Sequence, residues 1–349
     1  MVSRMIRTRN GGRGTGRPTL EEVAARAGVG RGTVSRVING SPRVSESTRA
    51  AVEAAVAELG YVPNRAARAL AANRTDSIAL VVPEPEARFF AEPYFSDMVR
   101  GVGAALAETE MQLLLTLAAG DRERRRLAQY LAAHRVDGVL LVSVHADDPI
   151  PDMLEQLSMP AVISGRRSAD ETLVAVDSDN FGGAHTAVTH LAGRGRRRIA
   201  TITGRLDVYG AQCRQAGYRA ALEAAGLAPD PGLTAPADFT EEGGRRAMAE
   251  LLRRCPDLDA VFAASDVMAA GARQVLREAG RRVPDDVALV GFDDSAVARH
   301  MDPPLTSVRQ PIEEMGRTMA ELLLQEITGR PGQCPQVVLP TELIVRDSS

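Results

Sequence analysis

From residue 76 onward the sequence alternates short apolar runs, rich in β-branched residues, with amphipathic stretches of about 12 to 18 residues. The runs are IALVV from 78, LLLTL from 113, DGVLLVS from 137, AVISG from 161, IATITG from 199, AVFAAS from 260 and VALVGF from 287. Helical periodicity falls between them, near 95–109, 121–134, 181–193, 210–225, 241–254 and 266–279. Continuous apolar strands between helices read as parallel strands covered on both faces. About a dozen strands are expected, more than one doubly wound sheet holds comfortably, so the body divides into two lobes.

Residues 18–63 follow a different rule, helical throughout. Thr19 stands at an N-cap with Glu22 three residues later, a capping box, while Leu20, Val23, Ala24 and Ala27 share one face. Gly28 stops that helix. After Gly28, Val29 and Gly30 a second helix turns Val34, Val37 and Ile38 inward, and a third at about 46–59 presents Val52, Val56 and Leu59. A helix, a three-residue turn and a second helix describe a helix-turn-helix, whose second helix lies in the major groove of DNA. Its outward face then carries Arg31, Gly32, Ser35, Arg36 and Asn39. Arginines there fork onto guanine, and Thr33, Ser35 and Asn39 suit phosphates.

Charge supports this division. All 42 basic residues are arginine, and the chain carries a net charge of −3. Residues 1–74 hold thirteen Arg against five Glu, a balance of +8, and the rest of the chain holds −11. A basic head on an acidic body points the head toward a polyanion. Residues 1–17, Arg, Gly and Thr without periodicity, read as a disordered basic arm.

Other classes find little support. No apolar run approaches the ~18 residues of a membrane span, and the basic start lacks the apolar stretch of a secretory signal, so a cytoplasmic protein is expected. Cys213, Cys255 and Cys334 are spaced for neither a disulfide framework nor a zinc site and read as reduced structural thiols. There is no GxxxxGK[ST] loop, GGRGTG at 11 follows no strand, no HExxH occurs, and VISG around Ser164 is not a nucleophile elbow. No enzyme activity, cofactor or metal is expected.

The stretch TLEEVAARAGVGRGTVSRVINGSPRVSESTRAAVEAAVAELGYVPNRAARALA, from Thr19, resembles the DNA-binding head of LacI/GalR transcription regulators almost position by position. The resemblance implies a homodimer reading the two half-sites of a pseudo-palindromic, double-stranded operator. It assigns base reading to Arg31, Gly32 and Arg36, and backbone contact to Thr19, Thr33, Ser35, Asn39, Ser45 and Tyr61. Gly32 departs from the pattern, where a side chain usually sits, and one base-pair contact goes with it. NRAARALAA, 64–72, resembles the family's hinge helix, with linker to 76. Its DNA-contacting positions are Asn64 and Leu70, the latter the apolar wedge of the minor groove, with Arg65 and Arg68 flanking the backbone.

The body resembles the two-lobed core shared with periplasmic sugar-binding proteins over residues 76–346. The expected architecture is an all-α helix-turn-helix head followed by an α/β, doubly wound, periplasmic-binding-protein-like core. Crossings are expected near 177, 308 and 338, giving an N-lobe of 77–177 and 309–337 and a C-lobe of 178–308 and 338–349. The resemblance places effector contacts on Arg214 in AQCRQAGYRAAL, Phe239 in ADFTEEGG, Ser265 in AASDVMAAG and Asp293 in GFDDS, with Asp266 capping the following helix. An arginine donor beside an aspartate acceptor suits the vicinal hydroxyls of a sugar. Of twelve aromatic residues, Phe89, Phe90, Tyr94 and Phe95 fall within seven positions directly after the first strand of the body. In a loop at a cleft the rings of Phe90 and Phe95 would stack on a sugar face. The arrangement EPEARFFAEPYF resembles oligosaccharide-responsive members, so the expected function is a repressor of carbohydrate uptake or catabolism genes controlled by a small sugar or oligosaccharide.

Overall fold

The computed structural model describes residues 18–38, 41, 43–61, 74–329 and 336–349. The arm, Asn39, the hinge segment with Asn64 and Leu70, and Cys334 lie outside the described residues. The chain divides between Thr75 and Asp76 into two units.

The first unit is built from α1 (Leu20–Ala27), α2 (Arg31–Ile38) and α3 (Glu46–Leu59). The capping box forms: Glu22 N donates to Thr19 Oγ1 at 3.3 Å and Thr19 N donates to Glu22 Oε2 at 2.7 Å. Gly28 ends α1 at φ 66°, a left-handed conformation open to glycine without strain. Val23, Val34, Val37, Val52, Ala55 and Tyr61 form a shared core, with Leu20, Ile38, Val56 and Leu59 at its margin. Burying each large apolar side chain contributes about 1.5–3 kcal/mol before the entropic cost of ordering it.

The second unit contains two six-stranded sheets, twelve strands among the described residues. The N-lobe sheet is ordered β11-β5-β4-β3-β1-β2, all parallel, from β1 (Ser77–Val82), β2 (Gln112–Leu117), β3 (Gly138–Leu141), β4 (Ala161–Ser164), β5 (Val174–Ser178) and β11 (Gln336–Leu339). The C-lobe sheet is ordered β12-β10-β9-β8-β6-β7, from β6 (Ile199–Thr203), β7 (Thr234–Pro236), β8 (Ala260–Ala263), β9 (Ala288–Asp293), β10 (Thr306–Arg309) and β12 (Glu342–Ile344). Only β12 runs antiparallel, against β10. Helices Pro93–Leu106 and Ile312–Ile327 cover one face of the N-lobe sheet, Asp121–Ala132 and Ile150–Gln156 the other. In the C-lobe, Asn180–Gly193 and Tyr209–Ala224 lie opposite Glu241–Arg254 and Asp266–Glu278.

Three crossings join the lobes, after β5, after β10 and between β11 and β12. All three fall one or two residues later than expected, Ser178 still belonging to β5. Arg309 still pairs with Asp293 in the C-lobe, and Val338 and Leu339 still pair with Asp177 and Ser178 in the N-lobe.

Candidate functional site

On the head, α2 buries Val34 and Val37 and leaves Arg31, Gly32 and Arg36 exposed, with Thr33 and Ser35 partly exposed. Arg31 reaches Glu21 at 3.1 Å, a solvated pair that costs little to break. Gly32 has nothing within 4 Å of a notional Cβ, so space does not dictate a glycine there. Thr19 and Ser45 are exposed N-caps, where α1 and α3 also turn their free amides. Tyr61 is 9% exposed, and its ring belongs to the head's core.

In the second unit, residues following the carboxyl ends of strands in both sheets line one cavity of about 840 Å³, the solvent at its mouth included. This is where doubly wound sheets bind ligands. Arg88, Glu92, Tyr94, Ser164 and Arg166 come from the N-lobe; Arg214, Phe239, Ser265 and Asp293 from the C-lobe; Asp177, Asn180 and Gln310 from the first two crossings.

Arg214, on helix Tyr209–Ala224, is buried with Nε donating to Asn180 Oδ1 at 2.7 Å and Nη1 donating to the Ala264 carbonyl at 2.5 Å. Its guanidinium lies 3.8 Å from the centroid of the Phe292 ring and 3.9 Å from Asp293 Oδ1. Burial draws the pKa of Arg214 below its ordinary value, partly offset by Asp293 and Asp177. Asp293 ends β9 at φ 114° and accepts from Gln310 Nε2 at 2.6 Å. Burial pushes its carboxyl up, with Arg214 opposing. Beneath it, the fully buried Asp266 accepts from Ser307 Oγ at 2.6 Å and Ser295 N at 2.7 Å, and burial raises it too.

Phe239 also has a positive φ, 66°. Non-glycine residues held in this region carry strain that clusters at functional sites. The Phe239 ring lies over Gly204, where a Cβ would come within 2.0 Å of its Cζ, and the Arg88 guanidinium of the opposite lobe covers it at 5.3 Å. Arg88 donates through Nε to Glu92 at 2.6 Å. Burial raises Glu92 to about 7, only partly countered by Arg88.

Sequence reasoning placed Arg214, Phe239 and Asp293 in this cavity, and they converge there. Ser265 lines it as well, but its hydroxyl is the N-cap of Asp266–Glu278, bonded to Met268 N at 3.3 Å; the cap is therefore Ser265, while Asp266 turns inward. The aromatic segment is not a loop. It forms helices Glu86–Ala91 and Pro93–Leu106, which leave its rings in mutual contact but at different depths. Phe90, 74% exposed, falls outside the cavity lining and meets Phe89 edge-on. Phe95, 1% exposed, packs in the N-lobe core between Phe89 and Tyr94, reaching the cavity only as part of its wall. Glu92, Asp177, Asn180 and Gln310 were not foreseen. The polar run DSDN at 177–180, ending a strand at a crossing, was the available signal.

A helix-turn-helix head joined to a two-lobed core with a polar cavity between its sheets defines an effector-controlled DNA-binding regulator. The family profile "Bacterial regulatory proteins, lacI family" matches residues 19–64, and "Periplasmic binding protein-like domain" matches 188–349. The HTH-type transcriptional regulator CelR of Thermobifida fusca is 54% identical over 334 residues, 95% of this chain and 98% of that protein. Among solved structures, a transcriptional regulator CelR–cellobiose complex aligns with TM-score 0.77 and 53% identity over 95% of this chain and 100% of that one. The lac repressor dimer bound to operator and the anti-inducer ONPF aligns with TM-score 0.83 and 28% identity, covering 95% and 98%. The chain belongs to the LacI family of bacterial transcriptional regulators; it is a DNA-binding regulator and not an enzyme. No helix among the described residues is long and apolar enough to cross a membrane.

Proposed function

We propose that this regulator represses carbohydrate uptake or catabolism genes as a cytoplasmic homodimer, and that cellobiose or a related gluco-oligosaccharide in the interlobe cavity sets its operator affinity. The observation that carries this is the convergence of Arg214, Asp293, Asn180 and Glu92 beside the Phe239 ring. Donors and acceptors beside an aromatic edge match the hydroxyls and apolar C–H groups of a pyranose. Arg88 and Arg214 already have acidic neighbours, which favours a neutral ligand over an anionic one. The 53% identity to a protein solved with cellobiose supports the same ligand class. On the head, the readers are Arg31 and Arg36, with Thr19, Thr33, Ser35 and Ser45 on the phosphates.

Calorimetry with cellobiose, cellotriose and the α-linked maltose, paired with operator gel shifts, tests the reading. Cellobiose or cellotriose is expected to bind and change operator affinity while maltose does neither. A thermal-shift screen in which no β-glucoside raises the unfolding temperature overturns it, since a ligand at 100 times its Kd adds about 2.7 kcal/mol.

A further inference from the structure

A chain of hydrogen bonds, closed by one longer ion pair, ties the cavity to two of the three crossings. Arg214 Nε donates to Asn180 Oδ1, and Asn180 Nδ2 donates to Asp177 Oδ1 at 2.9 Å and to the Ser178 carbonyl at 3.1 Å. Ser178 Oγ donates to Gln310 Oε1 at 2.6 Å. Gln310 Nε2 donates to Asp293 Oδ1 at 2.6 Å, which returns the path to Arg214 at 3.9 Å. Ser178 belongs to the first crossing and Gln310 to the second, and both side chains are buried.

The chemistry at Gln310 is restrictive. An ionised Asp293 only accepts, while the Ser178 hydroxyl needs an acceptor for its proton, so the residue between them must donate at one end and accept at the other. A carboxamide of this reach does both; a carboxylate or an ammonium does one. Ser178 and Gln310 lie on different connections between the lobes, so their bond joins one connection to the other.

We propose that Gln310 is a positioning residue that holds Asp293 toward the effector and ties it to Ser178, so that ligand capture and lobe angle are coupled through one amide. This rests on the effector cavity proposed above. The charged and titratable groups around Asp293 are Arg214, Asp266, Asp177, Glu92, Asp97 and Tyr94.

Gln310→Met and Gln310→Glu, in the full chain, test it through cellobiose affinity, operator affinity with and without cellobiose, and fluorescence transfer between dyes on the two lobes without sugar. In Gln310→Met, the sugar-free lobe distances should shift and operator affinity without sugar should change with them. The sugar-induced change, about 5–150-fold in typical allosteric coupling, should collapse to within about twofold of none, a larger loss than that in sugar affinity. In Gln310→Glu, two facing carboxylates repel at about pH 8 and coupling is lost. Near pH 5 they share a proton, the protonated carboxyl donates as the amide did, and coupling returns. A residue that only fills space gives no such recovery.

Parent-like coupling in Gln310→Met, equal losses in affinity and coupling, or no recovery at low pH each overturn the proposal. The dye distances separate it from the effector reading. If cellobiose fails to bind the parent yet the sugar-free lobe distances shift in both variants, the ligand class is wrong and the Gln310 tie stands. Unchanged distances reject the tie whatever the ligand.

Discussion

His145 of the N-lobe meets Asp207 of the C-lobe across the cleft, Nδ1 to Oδ2 at 3.2 Å, while its Nε2 lies 2.7 Å from the buried Glu84. Ala146 N adds a bond to the Asp207 carbonyl at 2.8 Å, and Arg205 holds the Asp207 carboxylate within its own lobe. Burial opposes the Glu84 charge, but hydrogen bonds from His145 and Ser143 with the Arg88 charge carry its pKa below the ordinary value. Since Arg88 is also a cavity wall, the lobe contact and the ligand site share one chain of charges.

His145→Ala should therefore loosen the closed lobes. Asp207 is partly solvated, which reduces the roughly 1.5–3 kcal/mol of a hydrogen bond to a charged group toward its lower end. Effector affinity is expected to fall about tenfold, with Asp207→Asn losing less. Parent-like affinity of His145→Ala in calorimetry would show that the contact contributes nothing to closure.

Gly204→Ala should act through Phe239. The added methyl group lands within 2.0 Å of the ring and must displace it, at roughly 1–3 kcal/mol of overpacking. Sugar affinity should fall while operator binding persists; a crystal structure with Phe239 unmoved would sink the explanation.

Arg214→Ala removes the positive charge beside Asp177 and Asp293, so about 3–5 kcal/mol of stability should go with it. Arg214→Lys is the cleaner test. An ammonium cannot reproduce the planar fork that binds Asn180 and Ala264 while stacking on Phe292. Operator binding should survive in Arg214→Lys and the effector response should not, as gel shifts with and without cellobiose will show.

The strands legible in the sequence were those dominated by apolar runs, half-exposed β2 among them. β1, β3, β4, β6, β8 and β9 each announce themselves as runs of Val, Ile, Leu, Phe and Ala. β10 did not, because Thr306 and Ser307 are buried polar residues, satisfied by Ser348, Ser349 and Asp266 from elsewhere in the chain. β7 is three residues ending in a proline at a sheet edge, where pattern has no length to act on. In the site, Arg214 and Asp293 came through family resemblance. Gln310 and Asn180 look like ordinary polar residues at strand ends until the crossings bring them together. Phe90 misled because the cluster folds into two helices, with Phe95 turned into the core and Phe90 left exposed.

Stability should depend on pH in two separate windows. Glu92, Asp177, Asp266 and Asp293 are all pushed up by burial, Glu92 to about 7. Such groups keep protons in the folded state that the unfolded chain has released, so the unfolded state binds fewer and stability falls as pH rises. That loss is absent below the unfolded value of about 4 and grows as pH climbs through the raised folded values. Depressed groups act oppositely: Arg282 lowers Asp286, and Arg167 lowers Glu171 against its burial, support that vanishes as pH falls below about 4. Denaturant midpoints of the ligand-free protein should peak near pH 5, with Glu92→Gln flattening the decline toward about pH 8 and leaving the acid limb alone. An unchanged decline in that variant would remove Glu92 from the account.

Arg36 separates sequence reading from charge. It projects from the exposed face of α2 while Val34 and Val37 on the opposite face are buried, so truncating it leaves the head's core intact. If its guanidinium forks onto a base edge, Arg36→Ala should cost about 1–3 kcal/mol on the operator and little on random DNA. A phosphate contact behaves differently, weakening both DNAs alike and lowering the slope of log affinity against log salt by about one. Arg31 offers the internal comparison, because it must first leave Glu21, a solvated pair contributing at most about 1 kcal/mol. Fluorescence anisotropy on operator and scrambled duplexes across a salt series reads all these quantities at once. Equal losses on both DNAs with a shallower salt slope would move Arg36 to the backbone and leave Arg31 as the base reader on this face.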